Sequence, residues 1–198
     1  MRQLAFISFW ANRRTPARAA QLKRLGLTRT TLASLMNNMQ LFGISVLFSF
    51  AAWTYVCVAY IWPALRNRAL VVAATPILVL HLFRFVGASF LVTGVAAPDL
   101  SVGFSVPAAY GDLIAVALAW VALAVRSSSS FKACLLAFNL WGTADLLYAF
   151  YQGLFGARIE AGTLGATFYI PTLYVPLLLC THIIIFLLLA RSAKLPPR

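Results

Sequence analysis

Acidic residues are the scarcest chemical class in this chain: its 198 residues include only four Asp and Glu, and none precedes Asp99. Charged residues of both signs together make up 10% of the sequence, against about 25% in typical soluble domains. This shortage excludes a soluble globular domain. A disordered tail is excluded as well, because disorder requires low hydrophobicity, whereas 62% of the residues are apolar and the mean hydropathy is +0.88.

Cysteine is also sparse, and its placement excludes two further classes of protein. The three cysteines, Cys57, Cys134 and Cys180, all lie in apolar segments. They form neither a CxxC pair nor a spacing typical of metal ligands, so we interpret them as small buried residues. The sequence therefore predicts no disulfide framework and no metal site.

Basic residues are plentiful by contrast, with 16 Lys and Arg and a formal net charge of +12. The excess does not indicate nucleic-acid binding, because nucleic-acid-binding proteins carry their basic clusters on a soluble scaffold. Much of it is local, since seven basic residues lie within the first 35 positions. We therefore divide the chain into a basic leader, residues 1–35, and a single transmembrane helical bundle, residues 36–198.

Three interpretations of the basic leader stay open. It can form an amphipathic helix on the inner membrane surface, with Leu22, Leu25 and Leu32 on one side. It can be a targeting sequence, because it is rich in Arg, Ser and Thr and contains no acid. We favour a third interpretation, in which the native chain begins at Met36 or Met39 and keeps a short polar segment that is easily exported.

Five apolar segments are long enough, or nearly so, to cross a bilayer, whose hydrocarbon core of about 30 Å requires roughly 20 helical residues. They run approximately over residues 41–62, 70–92, 112–125, 133–154 and 168–190. The sequence thus predicts an all-α polytopic membrane bundle of about five transmembrane helices, with the lipid bilayer as its partner. The third segment is the shortest, so we expect an upstream extension over residues 107–111, with Asp112 at a membrane face as a helix N-cap.

Basic residues between these segments predict the orientation, because loops rich in Lys and Arg stay in the cytoplasm. With the first and third loops and the C-terminus inside, seven basic residues are cytoplasmic and one, Arg158, is outside. The bundle is thus expected to have an external N-terminus and a cytoplasmic C-terminus. The seven cytoplasmic residues are Arg66, Arg68, Arg126, Lys132, Arg191, Lys194 and Arg198.

Charged and polar side chains inside the predicted helices are candidates for function, because a charge within a bilayer is costly. Arg84 in the second helix and Asp145 in the fourth are expected at similar depth, which predicts an ion pair between them. Such a pair either contributes to a site or only holds two helices together. The two histidines, His81 and His182, are both expected near the middle of the membrane.

The fourth predicted helix carries one polar and aromatic stripe. Its four members follow one another at spacings of 4, 3 and 4 residues, which places them within about 60° on one helix face. Together with side chains of the neighbouring helices, the stripe predicts a polar pocket that opens to the outside. The predicted pocket comprises Arg84, Asp112, Trp141, Asp145, Tyr148, Gln152 and Tyr174.

Other features of these helices are interpreted as packing. Asn139, Gly142 and Thr143 lie on the face opposite the stripe, where a small residue permits close helix approach. Pro176 lies one turn into the fifth helix, which predicts a kink and a freed carbonyl near Thr172. The segment 97–112 is half apolar, so it is expected to pack as a cap over one end of the bundle.

Three segments carry a family resemblance: Pro107-Ala-Ala-Tyr-Gly-Asp, Asn139-Leu-Trp-Gly-Thr-Ala-Asp-Leu and Ile170-Pro-Thr-Leu-Tyr-Val-Pro-Leu-Leu-Leu-Cys-Thr-His. In these segments the sequence resembles a group of small bacterial multi-pass membrane proteins, over approximately residues 41–191. The resemblance implies a multi-pass protein of the bacterial inner membrane. It transfers no activity, because none is assigned to that group.

Two functions are foremost. The first is binding or transport of a small ligand or a proton in the polar pocket, with His81 and His182 continuing it inward as a proton relay. The second is a b-type haem or quinone-linked redox protein that uses the two histidines; otherwise no cofactor is expected.

Two further functions have less support. An enzyme acting on lipid, with Asp145 or a histidine as the acid or base, would lack a nucleophile motif, a metal cluster and a phosphate-binding loop. A structural or assembly subunit would need the ion pair only as architecture. No nucleic-acid partner is expected, and the sequence leaves the oligomeric state and enzymatic activity open.

Overall fold

The computed structural model describes residues 37–194, so the predictions on the basic leader lie outside the described residues. It contains five helices that are long and apolar enough to cross a membrane. We number these spans in chain order: span 1 is Asn38–Leu65, span 2 is Leu70–Leu91, span 3 is Val102–Ala124, span 4 is Phe131–Gly156 and span 5 is Ile170–Ala193. Within residues 37–194, extended pairing is limited to one isolated bridge, which confirms the all-helical membrane architecture.

Four of the spans depart from a regular α-helix. Span 1 comprises an α-helix (Asn38–Val56), a π-helical turn (Cys57–Ile61) and a last α-helical turn (Trp62–Leu65). Span 2 is α-helical over Leu70–Leu82 and continues as a 3-10 helix over Phe83–Leu91. Span 4 is an α-helix (Phe131–Tyr151) that ends in a π-helical turn (Gln152–Gly156). Span 5 begins with a π-helical turn (Ile170–Tyr174) and continues as an α-helix (Val175–Lys194).

The 3-10 part of span 2 decides which side chains face span 3. Its buried residues are Arg84, Gly87 and Phe90, three residues apart. Side chains at this spacing are aligned in a 3-10 helix, whereas an α-helix would spread the three over about 120°. All three therefore meet span 3, where Arg84 and Gly87 adjoin Asp112, and the ring of Phe90 packs edge-on against Phe104 at 5.3 Å.

The expected upstream extension of the third helix over residues 107–111 is confirmed, but the predicted N-cap role of Asp112 is wrong, because span 3 begins at Val102, with Ser101 as its N-cap residue. Phe104, Ala108 and Leu100 are buried in one apolar cluster at this end of the bundle. Their burial stabilises the first turns, and this gain outweighs the low helix propensity of the proline and glycine that follow. Asp112 is therefore the eleventh residue of a 23-residue helix, close to its middle, and caps nothing.

Two connections close the end of the bundle where spans 3 and 5 begin. Residues 92–101 join spans 2 and 3, and residues 157–169, which include a 3-10 helix over Ala161–Phe168, join spans 4 and 5. The amide of Ala97 donates to the carbonyl of Thr163 at 3.0 Å, and that of Ala166 to Val95 at 2.9 Å. We call these two segments the cap; the prediction of a cap is confirmed for residues 97–101, whereas 102–112 are helix.

Gly165 is required by the geometry of the cap. Its φ of 56° and ψ of −133° are rarely adopted by other residues, and a Cβ there would overlap the carbonyl oxygen of Val95. We expect Gly165→Ala to lower the free energy of unfolding by about 2 kcal/mol or more, from backbone strain and overlap together. Gly94→Ala is the matched control, because Gly94 also has positive φ (84°) but has nothing within 4 Å of an added Cβ; thermal unfolding in detergent that shows equal losses would contradict the role of Val95.

The π-helical turn of span 5 connects it to span 1. The predicted irregularity at Pro176 takes the form of this turn, which ends two residues before the proline. The carbonyl of Leu173 accepts hydrogen bonds from Nε1 of Trp53 at 3.0 Å and from Oγ of Ser49 at 3.4 Å. The irregular backbone is thus satisfied by side chains of a neighbouring span, as membrane burial requires.

Candidate functional site

Three charged side chains meet in the interior of the bundle. The guanidinium of Arg84 is completely buried, and its Nε donates to Oδ1 of Asp112 at 2.7 Å while its Nη2 donates to Oδ2 of Asp145 at 2.5 Å. The predicted ion pair between Arg84 and Asp145 is therefore confirmed, and Asp112 forms a second pair that the N-cap interpretation missed. We call Arg84, Asp112 and Asp145 the charged triad; it joins spans 2, 3 and 4.

The two carboxylates of the triad fit because a glycine of a neighbouring span faces each of them. A Cβ added at Gly87 would overlap Oδ2 of Asp112, and one added at Gly111 would overlap Oδ1 of Asp145. These are the oxygens that the hydrogen bonds from the guanidinium do not use. Each carboxylate thus keeps a second oxygen, seated against backbone, and only 9% and 10% of the two side chains is exposed.

A third glycine, Gly142 of span 4, lies beside the guanidinium. Its carbonyl accepts a hydrogen bond from Nη1 of Arg84 at 3.4 Å. A Cβ at this position would stand 2.8 Å from Nη1 and 2.6 Å from both Nε2 and Cε1 of His182. Gly142 thus permits close approach, as predicted. The groups that approach it are the guanidinium of Arg84 and the imidazole of His182.

His182 of span 5 is completely buried and has a hydrogen bond at each ring nitrogen. Nδ2 of Asn139 donates to the backbone carbonyl of His182 at 3.2 Å, so Oδ1 of the same amide is left to accept from Nδ1 of the ring at 2.7 Å. Nδ1 therefore carries a proton, and the unprotonated Nε2 faces Nη1 of Arg84 at 3.5 Å. Asn139 packs spans 4 and 5 together, as predicted, and it also selects the tautomer of His182.

His81 of span 2 is also completely buried, and its ring centroid lies 4.3 Å from that of His182. The ring of Phe138 borders both histidines, at 5.1 and 5.3 Å. Nε2 of His81 lies 3.0 Å from Oγ1 of Thr181. The two histidines therefore extend the triad toward spans 2 and 5 as one contiguous polar group.

This arrangement of the histidines does not fit a haem. Two imidazoles that bind one iron from opposite sides need ring centroids about 6 Å apart, given metal–nitrogen distances of about 2 Å. The observed separation of 4.3 Å leaves no space for a porphyrin between His81 and His182, and Phe138 occupies the adjoining volume. Within residues 37–194, no group of three or more His, Cys, Asp and Glu is placed to hold a metal ion.

Two of the other predicted pocket residues bind backbone beside the triad. Nε1 of Trp141 donates to the carbonyl of Gly111 at 3.2 Å, and the hydroxyl of Tyr174 donates to the carbonyl of Leu80 at 3.0 Å. Trp141 thereby connects span 4 to span 3, and Tyr174 connects span 5 to span 2. Their role in the structure is to position the site from outside it.

Tyr148 and Gln152 form no hydrogen bond with the charged triad. Their side chains are hydrogen-bonded to each other, and 47% of Tyr148 is exposed. Of the predicted stripe on span 4, only Asp145 therefore contacts Arg84. The site is formed by side chains of four different spans, so the stripe on span 4 does not predict its composition.

Comparison with known proteins gives a family without an assigned activity. Neither the curated proteins nor the solved structures include a significant match to this chain. A family model described as a domain of unknown function (DUF8737) matches residues 41–190, a range that contains the charged triad and both histidines. The chain belongs to this DUF8737 family.

Proposed function

We propose that this chain binds a proton at the charged triad and transports it, alone or coupled to a small solute, across the membrane. The observation that carries the proposal is a charge imbalance in the bundle interior. One guanidinium, that of Arg84, serves two carboxylates, those of Asp112 and Asp145. With both carboxylates ionised and both histidines neutral, the group holds one uncompensated negative charge.

Such a charge is costly at this depth. Insertion scales assign about 2.5–3.5 kcal/mol to a charged residue at the centre of a membrane helix, and burial without a partner costs more. A bound proton or a small cation removes the imbalance. The free oxygens of Asp112 and Asp145, each seated against a glycine, are the places where it can bind.

The proposal is tested by proton flux into vesicles that contain the full chain and a pH-sensitive dye. Asp145→Asn keeps an acceptor for Arg84 but removes the uncompensated charge, so we expect the flux to fall about tenfold or more. Asp99→Asn is the matched control, because it makes the same change at an exposed carboxyl of the cap. Equal flux in the wild type and Asp145→Asn, with both above empty vesicles, would contradict the proposal.

A structural or assembly role is the second candidate, and one observation favours it. Nε, Nη1 and Nη2 of Arg84 all have partners within the chain, so the guanidinium by itself forms a closed connection between three spans. This role is supported if wild-type vesicles show no flux and the triad variants change only stability.

The proposed membrane is the bacterial inner membrane, with the start of span 1 outside and the end of span 5 in the cytoplasm. The exposed side chains of Arg66, Arg68 and Arg126 support this orientation, because they lie in the two connections that would then be cytoplasmic. The cap would face outward, with Arg158 as its one basic residue.

A further inference from the structure

We propose that Nδ1 of His81 is a second proton-binding position of the site, whereas His182 stays neutral and positions Arg84. This inference deepens the proposed function and rests on its charge count. It assigns different roles to two histidines that are adjacent, equally buried and indistinguishable in the sequence.

The hydrogen bonds of Thr181 establish the resting tautomer of His81. The hydroxyl of Thr181 has one proton, and it donates this proton to the carbonyls of Leu178 at 2.9 Å and Leu177 at 3.1 Å. Its oxygen is therefore an acceptor toward Nε2 of His81, 3.0 Å away. His81 thus carries its proton on Nε2, and its Nδ1 presents an unprotonated lone pair.

That lone pair is unsatisfied. Among the described residues, Nδ1 of His81 is a buried side-chain nitrogen without a hydrogen-bond partner. Buried polar atoms are nearly always paired, so a free lone pair of this kind is exceptional. An imidazole nitrogen with a free lone pair is a proton acceptor, and binding a proton adds almost no volume to the packed interior.

His182 lacks this capacity because both its nitrogens are engaged. A proton on its Nε2 would turn the acceptor that faces Nη1 of Arg84 at 3.5 Å into a second donor, so two positive groups would oppose each other. On the other side, Nδ1 already donates to Asn139. His182 is therefore a positioning residue, which receives a hydrogen bond from the guanidinium and restricts its place.

The two carboxylates decide whether His81 can hold a proton, because Arg84, three residues further along the same span, opposes a second positive charge. His81 also faces His182 of span 5, and beyond the guanidinium lie Asp112 of span 3 and Asp145 of span 4. When the O–H bond of a protonated carboxyl breaks and an N–H bond forms at Nδ1, the site keeps its proton. It then contains two cations and two carboxylates, and remains neutral.

The two histidines of the chain make a direct test possible. In the full chain, labelled with ring-15N histidine in lipid vesicles, NMR distinguishes protonated from unprotonated ring nitrogens. We expect opposite tautomers at neutral pH, and on acidification the unprotonated Nδ1 signal of His81 disappears while the signals of His182 persist. Thr181→Val assigns the spectrum, because it removes the hydrogen-bond partner of His81 alone.

Asp145→Asn provides the charge test. Removing one carboxylate is expected to shift the protonation of His81 to lower pH, whereas Asp99→Asn leaves it unchanged. The inference is overturned if His182 takes a proton before His81 or if both rings share one tautomer. If the vesicles show proton flux but His81 never takes a proton, this inference is overturned and the proposed function is left intact. If His81 takes a proton but the vesicles show no flux, the proton-binding site is supported and transport is overturned.

Discussion

Arg84→Gln is expected to lower the free energy of unfolding by about 3–5 kcal/mol, the largest effect of any single change considered. Removing one partner of a buried ion pair leaves uncompensated charge in a medium that solvates it poorly. Here two carboxylates, those of Asp112 and Asp145, lose their cation at once. In thermal unfolding we expect Tm to fall by roughly 10 °C.

The chain supplies its own probe for this measurement. Cys57 and Cys180 are buried free thiols, so labelling by a thiol-reactive dye beyond that of the partly exposed Cys134 reports unfolding without an added tag. Arg66→Gln, at an exposed position, is the control for loss of one positive charge. Combining Arg84→Gln with Asp112→Asn and Asp145→Asn is expected to restore most of the lost free energy of unfolding, because the neutral group needs no cation. A triple variant as unstable as Arg84→Gln would contradict the electrostatic cause.

Gly142→Ala is expected to cost about 1–3 kcal/mol, although alanine is the better helix former. The added methyl would stand 2.6 Å from Nε2 of His182 and 2.8 Å from Nη1 of Arg84, so both groups must move. Because these groups belong to the proposed proton site, flux is expected to fall together with stability.

Gly43→Ala is the matched control for that change. Gly43 lies inside the α-helix of span 1 and has nothing within 4 Å of an added Cβ. This variant is expected to be as stable as the wild type or slightly more stable, by the difference in helix propensity alone. The same loss in both variants, measured by thiol labelling, would refute the packing argument at Gly142.

Features that depend on length and local composition were accessible from the sequence. The five spans follow from runs of apolar residues, and the pair between Arg84 and Asp145 follows from the cost of leaving either charge alone in a membrane. Asp112 was included in the predicted pocket, but its ion pair with Arg84 was not predicted, because that pair depends on where span 3 begins. The apolar contacts of Phe104 decide that boundary, and they come from segments distant in the chain.

The rest of the site depends on which side chains meet across spans. Gly87, Gly111 and Gly142 each face a polar group of another span, and no local pattern marks that neighbour. One signal was available for span 2, where Arg84, Gly87 and Phe90 recur every three residues, the period of a 3-10 helix. The tautomers of His81 and His182 required the partners of both ring nitrogens, which only the assembled bundle provides.

The central position of Asp112, eleventh in a helix of 23 residues, has an electrical consequence. A proton that reaches the triad from either surface crosses roughly half of the transmembrane potential. Moving one charge through the whole potential is worth about 2.3 kcal/mol per 100 mV, so half of it is worth about 1.2 kcal/mol. Under the proposed function, proton occupancy of the triad is therefore expected to depend on membrane voltage as well as on pH, with a change close to one order of magnitude for a potential of 100 mV.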